Sequence, residues 1–221
     1  MVVPDSYSDV APAPLYVMFP SGSGSRDQAL EGMRPYVDGL NGLMLIVQTS
    51  DRQAVTPEAL VSLIDGIGSA FCVDPEQIHA MGTAWAAAIA EGLACEASDR
   101  IASFVSAVGQ GTTQACAPGR PVPLLTFTGD TDRTTVNAIV DRWTSINGCD
   151  PEPAVDDLGS GVLEKTFLDC DADVVFYDIQ GMGHCFVTHE AKGPAAPFMC
   201  EYEEFDYLEG SYEFFAAHPL E

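Results

Sequence analysis

Ile78–Ala87 has the sequence IHAMGTAWAA, and this pattern is the most informative one in the chain. A short apolar run leads into Gly82, and an alanine-rich segment typical of a helix follows directly. A strand, a sharp turn and a helix in this order form the G-x-S-x-G nucleophile elbow, in which the turn exposes a serine. Ala84 occupies the serine position here. The sequence therefore predicts the backbone of a nucleophile elbow without its reactive hydroxyl group.

Apolar runs typical of strands alternate with segments of helical periodicity on both sides of this elbow. We predict strands over residues 14–19, 42–49, 77–81, 101–108, 123–128, 162–167 and 173–179, and helices over 27–37, 57–71, 84–97, 134–146 and 210–217. This alternation predicts an α/β fold, with a mostly parallel sheet and helices on both faces. We expect an extended leader over residues 1–13 and a single domain over 14–219.

Composition limits the partners of the chain. Its 221 residues suffice for one α/β domain with a hydrophobic core. There are 33 acidic and nine basic side chains, and the formal net charge of −24 argues against nucleic-acid binding because phosphate would be repelled. No apolar run reaches about 18 residues, so we expect no membrane-spanning helix. The acidity indicates either adaptation to salt or, as we prefer, solubility through surface carboxylates.

Three positions follow the ends of separate predicted strands. Ala84 follows the elbow strand, Asp132 follows the strand over 123–128, and His184 follows the strand over 173–179. In a parallel sheet these ends lie on one edge, and the chain order nucleophile, acid, histidine is that of α/β-hydrolases. A histidine base activates a serine, and a carboxylate orients the imidazole and stabilises its charged form. Each residue alone has an ordinary interpretation as a helix-start, turn or loop residue, but their joint order favours a site.

The chain resembles the secreted polyhydroxybutyrate depolymerase and feruloyl esterase family of α/β-hydrolases over roughly residues 15–218. The resemblance implies a carboxylic ester hydrolase with a Ser-His-Asp mechanism, an ester substrate and no cofactor. In it, Asp132 and His184 are the acid and the base, and Ala84 holds the serine position. The matching residues are Cys72–Pro75, Ile78–Gly82, Leu93–Glu96, Asp99–Ala102, Arg120–Leu124, Gly129, Asp132, Trp143, Asn147–Asp150, Cys170, Gly183 and His184.

The chain departs from this family after its first predicted strand. The family has His-Gly there, where backbone N–H groups form part of the oxyanion hole, whereas this chain has Phe19-Pro20-Ser21-Gly22. Pro20 has no N–H to donate. The candidate donors are therefore the backbone N–H groups of Gly22 and of Trp85, which follows the nucleophile position. The Trp85 side chain either forms a pocket wall or packs on the helix.

Seven cysteines without a C-x-x-C pair indicate structural disulfides rather than a metal site. No cysteine–histidine cluster has zinc-binding spacing, so we expect no metal. We expect a Cys149–Cys170 disulfide, and a second one within the group Cys72, Cys95 and Cys116. Cys185 and Cys200 are further candidates, because they bracket the segment after His184. Disulfides and the resemblance together predict a secreted protein.

The two ends of the chain suggest recombinant origin. Met1 precedes a Pro/Ala-rich segment and resembles an added start, and Leu220-Glu221 resemble residues left by an expression vector. We therefore expect a mature domain whose secretion signal has been removed.

Two functional hypotheses remain open. In the first, the protein is an esterase inactivated by a deliberate serine-to-alanine replacement. In the second, it is a natural non-catalytic relative that binds an ester, a glycan or a protein partner. A third possibility is catalysis by another hydroxyl, that of Ser21 or Thr83. Four aromatic residues lie among acidic residues soon after His184, and they either pack on the core or line an acyl or aromatic pocket: Phe198, Tyr202, Phe205 and Tyr207. Of these, Phe198 and Tyr202 are the candidate substrate-binding residues. The sequence indicates no oligomeric state.

Overall fold

The computed structural model describes residues 1–21, 42–49, 55–191 and 198–220. Eight strands form one sheet in the order β2-β1-β3-β4-β5-β8-β7-β6. The first six of these are parallel, and β7 and β6 complete the sheet as an antiparallel hairpin. The strands are β1 (Ala13–Phe19), β2 (Leu43–Ile46), β3 (Val73–Thr83), β4 (Ser103–Ala107), β5 (Leu124–Thr128), β6 (Ala154–Gly159), β7 (Val162–Thr166) and β8 (Val174–Ile179).

Helices cover both faces of this sheet, as predicted. They are α1 (Pro57–Ala70), α2 (Ala87–Glu96), α3 (Arg133–Ile146) and α4 (Tyr207–Ala217). Side chains alternate between the faces along β1: Leu15 and Val17 pack with α1, α2 and α3, whereas Tyr16 and Met18 pack with α4. This alternation is the two-residue period of a strand that is buried on both sides.

The predicted start of α1 is confirmed. The Thr56 hydroxyl accepts a hydrogen bond from the Ala59 backbone N–H at 3.3 Å, which is the role of an N-cap side chain. Pro57 occupies the first turn, where the absence of its N–H removes no helical hydrogen bond. The helix predicted over residues 27–37 lies outside the described residues.

Several elements differ from the prediction. β6 was not predicted, because its first four residues are exposed and its polar sequence shows no buried face. Two short strands, β9 (Phe186–Thr188) and β10 (Met199–Glu201), pair in parallel as a separate small sheet. Three-residue strands have no recognisable periodicity. The elbow helix begins with a 3-10 turn over Ala84–Ala86 before α2 starts.

All seven cysteines lie within the described part of the chain. The predicted Cys149–Cys170 disulfide is confirmed. Two further disulfides join Cys95 to Cys116, within the predicted group of three cysteines, and Cys185 to Cys200. Cys72 keeps a free thiol. The Cys95–Cys116 bridge attaches the segment after β4 to α2, and Cys185–Cys200 joins the region of β9 to β10.

The N-terminal segment lies against the sheet. Val2 and Met44 exchange two backbone hydrogen bonds of 2.8 and 3.0 Å, so Val2 pairs with the edge strand β2. The Tyr7 hydroxyl accepts a hydrogen bond of 2.7 Å from the Cys72 backbone N–H. The division into a leader over 1–13 and a domain over 14–219 stays a prediction. Among the described residues, no helix has both the length and the apolar character needed to cross a membrane.

Candidate active site

The backbone at Ala84 has the strained conformation of a nucleophile elbow. Ala84 lies between the end of β3 and the 3-10 turn, and its φ is 45°. A positive φ is uncommon for a residue with a side chain, and the left-handed conformation costs about 1–2 kcal/mol for an L-residue. The predicted sharp turn between strand and helix is therefore present at Ala84, whereas its role as the serine position of a nucleophile elbow stays a prediction.

Gly82 allows β3 and the following helix to approach closely. A Cβ atom at this position would collide with the Ala87 Cα atom and would lie 2.7 Å from the Ala86 carbonyl oxygen. The Ala86 side chain is itself buried against the core. Both positions require small residues because the strand and the helix are in backbone contact here. The first and last residues of the G-x-S-x-G pattern are thus explained by packing.

The loop after β4 supports the elbow from the other side. The Gln110 backbone N–H donates to the Ala84 carbonyl oxygen at 3.0 Å. Further along this loop, the Thr112 backbone N–H donates to the carboxylate of Glu91, a buried residue of α2. Glu91 also accepts from Arg142 and from the Trp143 indole, each at 3.0 Å. The sequence analysis did not identify Glu91, because a lone glutamate in a helix has no pattern that distinguishes it.

Asp132 and His184 lie in direct contact at the same edge of the sheet. The Asp132 Oδ2 atom is 2.6 Å from His184 Nδ1. When a neutral His184 ring donates from Nδ1 to an ionised Asp132 carboxylate, Nε2 carries the lone pair of the imidazole. The Asp132 side chain is 19% exposed and that of His184 is 46% exposed. The predicted contact is therefore present, whereas the catalytic roles of both residues stay predictions.

The sheet order explains how this pair forms. β5 and β8 are neighbours, so the loops that follow them leave the sheet side by side. Asp132 is the N-cap residue of α3, and His184 lies in the loop that leads to β9. β3, which ends at the Ala84 turn, is separated from β5 by β4 alone. All three positions follow the carboxyl ends of parallel strands, where ligands bind in open α/β sheets.

The Trp85 side chain fastens the loop after β1 to the elbow. Its indole N–H donates to the Ser21 carbonyl oxygen at 2.9 Å. The Thr83 hydroxyl accepts from the Ser21 backbone N–H, also at 2.9 Å. The indole also packs partly on the core. The sequence did not predict its hydrogen bond to Ser21. Gly22, the other candidate oxyanion donor, lies outside the described residues.

The aromatic residues after His184 divide into two groups. Phe205 and Tyr207 are buried in the core, and Phe205 stacks on Tyr177 with ring centroids 4.0 Å apart. Phe198 is 65% exposed. Tyr202 is partly buried, and burial together with the charges of nearby carboxylates raises the pKa of its hydroxyl. Of these four side chains, those of Phe198 and Tyr202 keep surface that is available to a ligand.

A cleft of about 550 Å³ opens beside the elbow. It lies between the start of α1, one side of α2 along its length, and the loop after β4. Neither the predicted substrate residues nor Asp132 and His184 line it. Its lining consists of Val55, Thr56, Pro57, Glu58, Leu60, Ala88, Ile89, Gly92, Glu96, Gly111, Thr112, Thr113 and Gln114.

Metal-binding residues do not cluster in the described part of the chain. Within residues 1–21, 42–49, 55–191 and 198–220, no three or more histidine, cysteine, aspartate or glutamate side chains are grouped so that they could hold a metal ion.

Comparison with solved structures supports the architecture. No family model matches the chain, and no curated protein matches its sequence. An acetyl xylan esterase from Aspergillus awamori is similar over 97% of this chain and 92% of its own, with 12% identity and a TM-score of 0.70. A structure from a study of two fungal esterases from Rhizomucor miehei is similar over 95% of this chain and 76% of its own, with 11% identity and a TM-score of 0.63.

A dienelactone hydrolase-like promiscuous phosphotriesterase from metagenomic libraries covers 96% of both chains, with 16% identity and a TM-score of 0.57. Identities this low concern the fold alone, and the resemblance to polyhydroxybutyrate depolymerases and feruloyl esterases stays a prediction. Together with the sheet order and the helices on both faces, these likenesses show that the chain has the α/β-hydrolase fold.

Proposed function

We propose that this site is that of a carboxylic ester hydrolase with a Ser-His-Asp mechanism, in which Ala84 stands where the serine nucleophile belongs. The observation that carries the proposal is the φ of 45° at Ala84, at the same sheet edge as the Asp132–His184 pair. An alanine gains nothing from a conformation that costs about 1–2 kcal/mol. A serine gains an exposed hydroxyl beside a base.

With a serine at position 84, each group has a defined role. His184 Nε2 takes the hydroxyl proton as the serine oxygen attacks the ester carbonyl carbon, and Asp132 stabilises the imidazolium. The backbone N–H groups of Trp85 and Gly22 donate to the resulting oxyanion. The C–O bond to the alcohol then breaks, and His184 returns the proton to that alcohol. Water releases the acyl group by the same steps, whereas the chain with Ala84 binds the ester without turnover.

The finer assignments belong to the same proposal. We place the protein among the secreted polyhydroxybutyrate depolymerase and feruloyl esterase-like proteins, with Phe198 and Tyr202 as substrate-binding residues. Three disulfides support an extracellular location. The esterases among the structural neighbours support an ester as the substrate.

The alternative is a natural binding protein without catalysis. The residue that favours it, besides Ala84, is Pro20, because it removes an N–H from the loop where the resembling family places an oxyanion donor. Catalysis by Thr83 has little support, because its side chain is only 4% exposed and its hydroxyl is bonded to Ser21. The two main hypotheses differ in whether restoring one hydroxyl restores activity.

The Ala84→Ser variant tests the proposal. We expect it to hydrolyse p-nitrophenyl acetate, measured by release of p-nitrophenolate, while the chain with Ala84 stays at background. Adding His184→Ala to the variant should lower kcat by about 10³-fold or more, the scale seen when a triad member is lost. Ala84→Gly is the matched control, because it accepts the positive φ without a nucleophile.

The contradicting result is equally specific. A folded Ala84→Ser variant that is inert towards acetyl, aromatic and hydroxybutyrate esters would refute the esterase proposal. Tight binding of one of those esters to the same inert variant would establish the binding protein instead.

A further inference from the structure

The loops that carry Asp132 and His184 are joined by more than the contact between these two side chains. The Asp130 backbone N–H donates to the Met182 carbonyl oxygen at 2.8 Å. The Asp130 carboxylate accepts from the Gly181 backbone N–H at 3.0 Å. One residue of the first loop thus holds two consecutive residues of the second loop through its main chain and its side chain.

This junction, formed by the hydrogen bonds of Asp130 to Gly181 and Met182, lies next to the candidate site. Asp132 lies two residues beyond Asp130, and His184 lies two residues beyond Met182. The same spacing in both loops places the Asp132–His184 bond directly after the Asp130–Met182 bond. Met182 is buried in the core, so the junction has a rigid base. A displacement of Asp130 therefore displaces the backbone of the loop that carries His184, and with it the imidazole ring.

Gly129 brings the two main chains into contact. A Cβ atom there would collide with the Met182 carbonyl oxygen and would lie 2.6 Å from the carbonyl carbon. Only a glycine permits this approach.

Arg133 holds the Asp130 carboxylate in its orientation. Arg133 Nη2 lies 2.8 Å from Asp130 Oδ1, which leaves Oδ2 for Gly181. The same guanidinium binds Asp178 of β8, with Nε and Nη2 at 2.9 and 2.7 Å from Oδ1. Lys165 binds the other oxygen of Asp178 at 2.6 Å. Although burial alone would raise the pKa of Asp178, the hydrogen bonds and charges of Lys165 and Arg133 lower it, so this carboxylate is a charged anchor for Arg133.

We propose that Asp130 is a positioning residue, which aligns His184 with Asp132 by clamping the loop after β8 through Gly181 and Met182. The inference rests on the proposed esterase function for its catalytic consequence. Asp130 acts through the loop and makes no contact with the reacting atoms in this scheme. Both carboxylate oxygens take part in the clamping, since Oδ2 accepts from Gly181 and Oδ1 is held by Arg133.

The test compares Asp130→Ala, which removes the acceptor, with Asp130→Asn, which keeps an acceptor oxygen. The first readout is the ¹⁵N NMR signal of the His184 ring, one of four histidines, assigned with His184→Ala. The measurement is made in the chain with Ala84 at alkaline pH, where imidazoles are neutral. A hydrogen bond to Asp132 selects the Nδ1–H tautomer. We expect Asp130→Ala to reduce the fraction of this tautomer, and Asp130→Asn to reduce it less, because its single amide oxygen serves either Gly181 or Arg133 but not both.

The second readout is kinetic and uses the Ala84→Ser background. We expect Asp130→Ala to lower kcat by about 10–100-fold with KM changed less than about threefold, because small misalignments of catalytic groups have effects of this size. Asp130→Asn should lower kcat less than Asp130→Ala does, because it keeps one of the two acceptor oxygens. Asp65→Ala is the matched control, since Asp65 also pairs with an arginine, Arg100, but on the surface of α1; it should leave both readouts unchanged.

The outcomes separate the two proposals. If Ala84→Ser is inert, the esterase function fails, and the tautomer measurement still tests the clamp. If folded Asp130→Ala keeps both the Nδ1–H tautomer and kcat, the clamp is overturned. If Asp130→Ala does not fold, Asp130→Ser replaces it, because its shorter side chain does not reach Gly181, and an unchanged tautomer there would overturn the clamp equally.

Discussion

His79 and His184 show how differently one residue type behaves in this fold. His79 has no exposed surface, and its ring nitrogens contact the Ser103 hydroxyl at 2.9 Å and the Gln77 side chain at 3.0 Å. Its ring also stacks on Phe215. Burial, with a smaller contribution from the charge of His218, lowers the pKa of His79 from 6.5 to about 3. His79 is thus a neutral core residue, whereas His184 reaches the surface beside a carboxylate.

The lowered pKa of His79 predicts a pH dependence of stability. Its folded-state pKa lies below its unfolded-state value, so the unfolded chain binds the proton first as the pH falls. Stability from this group is complete above about pH 6.5 and decreases by up to about 1.4 kcal/mol for each pH unit below it. In His79→Gln this contribution is absent.

We therefore expect the difference in unfolding free energy between the chain and His79→Gln to narrow between about pH 7 and pH 4. Urea unfolding at several pH values measures it, with His189→Gln, a surface variant, as the control. A constant difference across that range would contradict the assignment of His79 as a neutral buried group.

At the scale of elements, the segment from β10 to α4 carries the aromatic residues that the sequence singles out. Phe205 and Tyr207 are buried in the core, whereas Phe198, which directly precedes β10, is exposed. Tyr202 is fastened by its backbone, whose N–H donates to the Thr188 carbonyl oxygen at 2.9 Å. Phe198 is an exposed aromatic side chain on a disulfide-bonded segment, and its assignment to the ligand stays a proposal.

Replacing Phe198 and Tyr202 together with alanine tests this assignment. If they contact the substrate, binding of an aromatic ester to the chain with Ala84 should weaken about tenfold, equivalent to about 1.4 kcal/mol. The unfolding free energy should change less, because the Phe198 side chain is mostly outside the core. Calorimetric titration and thermal unfolding supply the two measurements.

Val10→Ala is the matched control for that experiment, because Val10 is a strongly exposed apolar residue of the N-terminal segment. It should change neither quantity. Unchanged ester binding in the folded double variant would mean that the aromatic segment only covers the core.

For the whole molecule, the dominant property is its charge. The chain has a formal net charge of −24 on 221 residues. In the compact state these like charges repel one another, and dissolved salt screens this repulsion. The screening length falls from about 10 Å at 0.1 M to about 3 Å at 1 M salt. We expect the Tm to rise when KCl is increased over this range.

Sucrose at matched osmolality is the control for that measurement, because it stabilises compact states by exclusion without screening charges. A Tm that responds equally to both solutes would contradict charge repulsion as the cause. Unfolding at low salt, reversed by KCl, would favour the interpretation of the acidity as salt adaptation over simple solubility.

Local sequence patterns were sufficient to predict the fold class and the order in which the candidate site residues occur along the chain. Buried parallel strands appear as continuous apolar runs, and Thr56 and Pro57 form a helix start that depends on neighbouring residues only. The elbow at Ala84 is equally local, since a glycine and two alanines around a turn define it. For the same reason, the strand-end positions of Asp132 and His184 could be assigned before any contact between them was visible.

Long-range contacts account for what the sequence left open. β6 is recognisable only by its pairing with β7, and the division of the aromatic residues depends on which of them meet Tyr177 and the sheet. The tether from Trp85 to Ser21 and the clamp from Asp130 to Gly181 join residues 64 and 51 positions apart. The local sequence pattern determines which residues form strands and turns, because these depend on backbone sterics and on the periodicity of apolar residues. Hydrogen bonds between loops depend instead on the order of the strands in the sheet. That order brings distant residues together only in the folded chain.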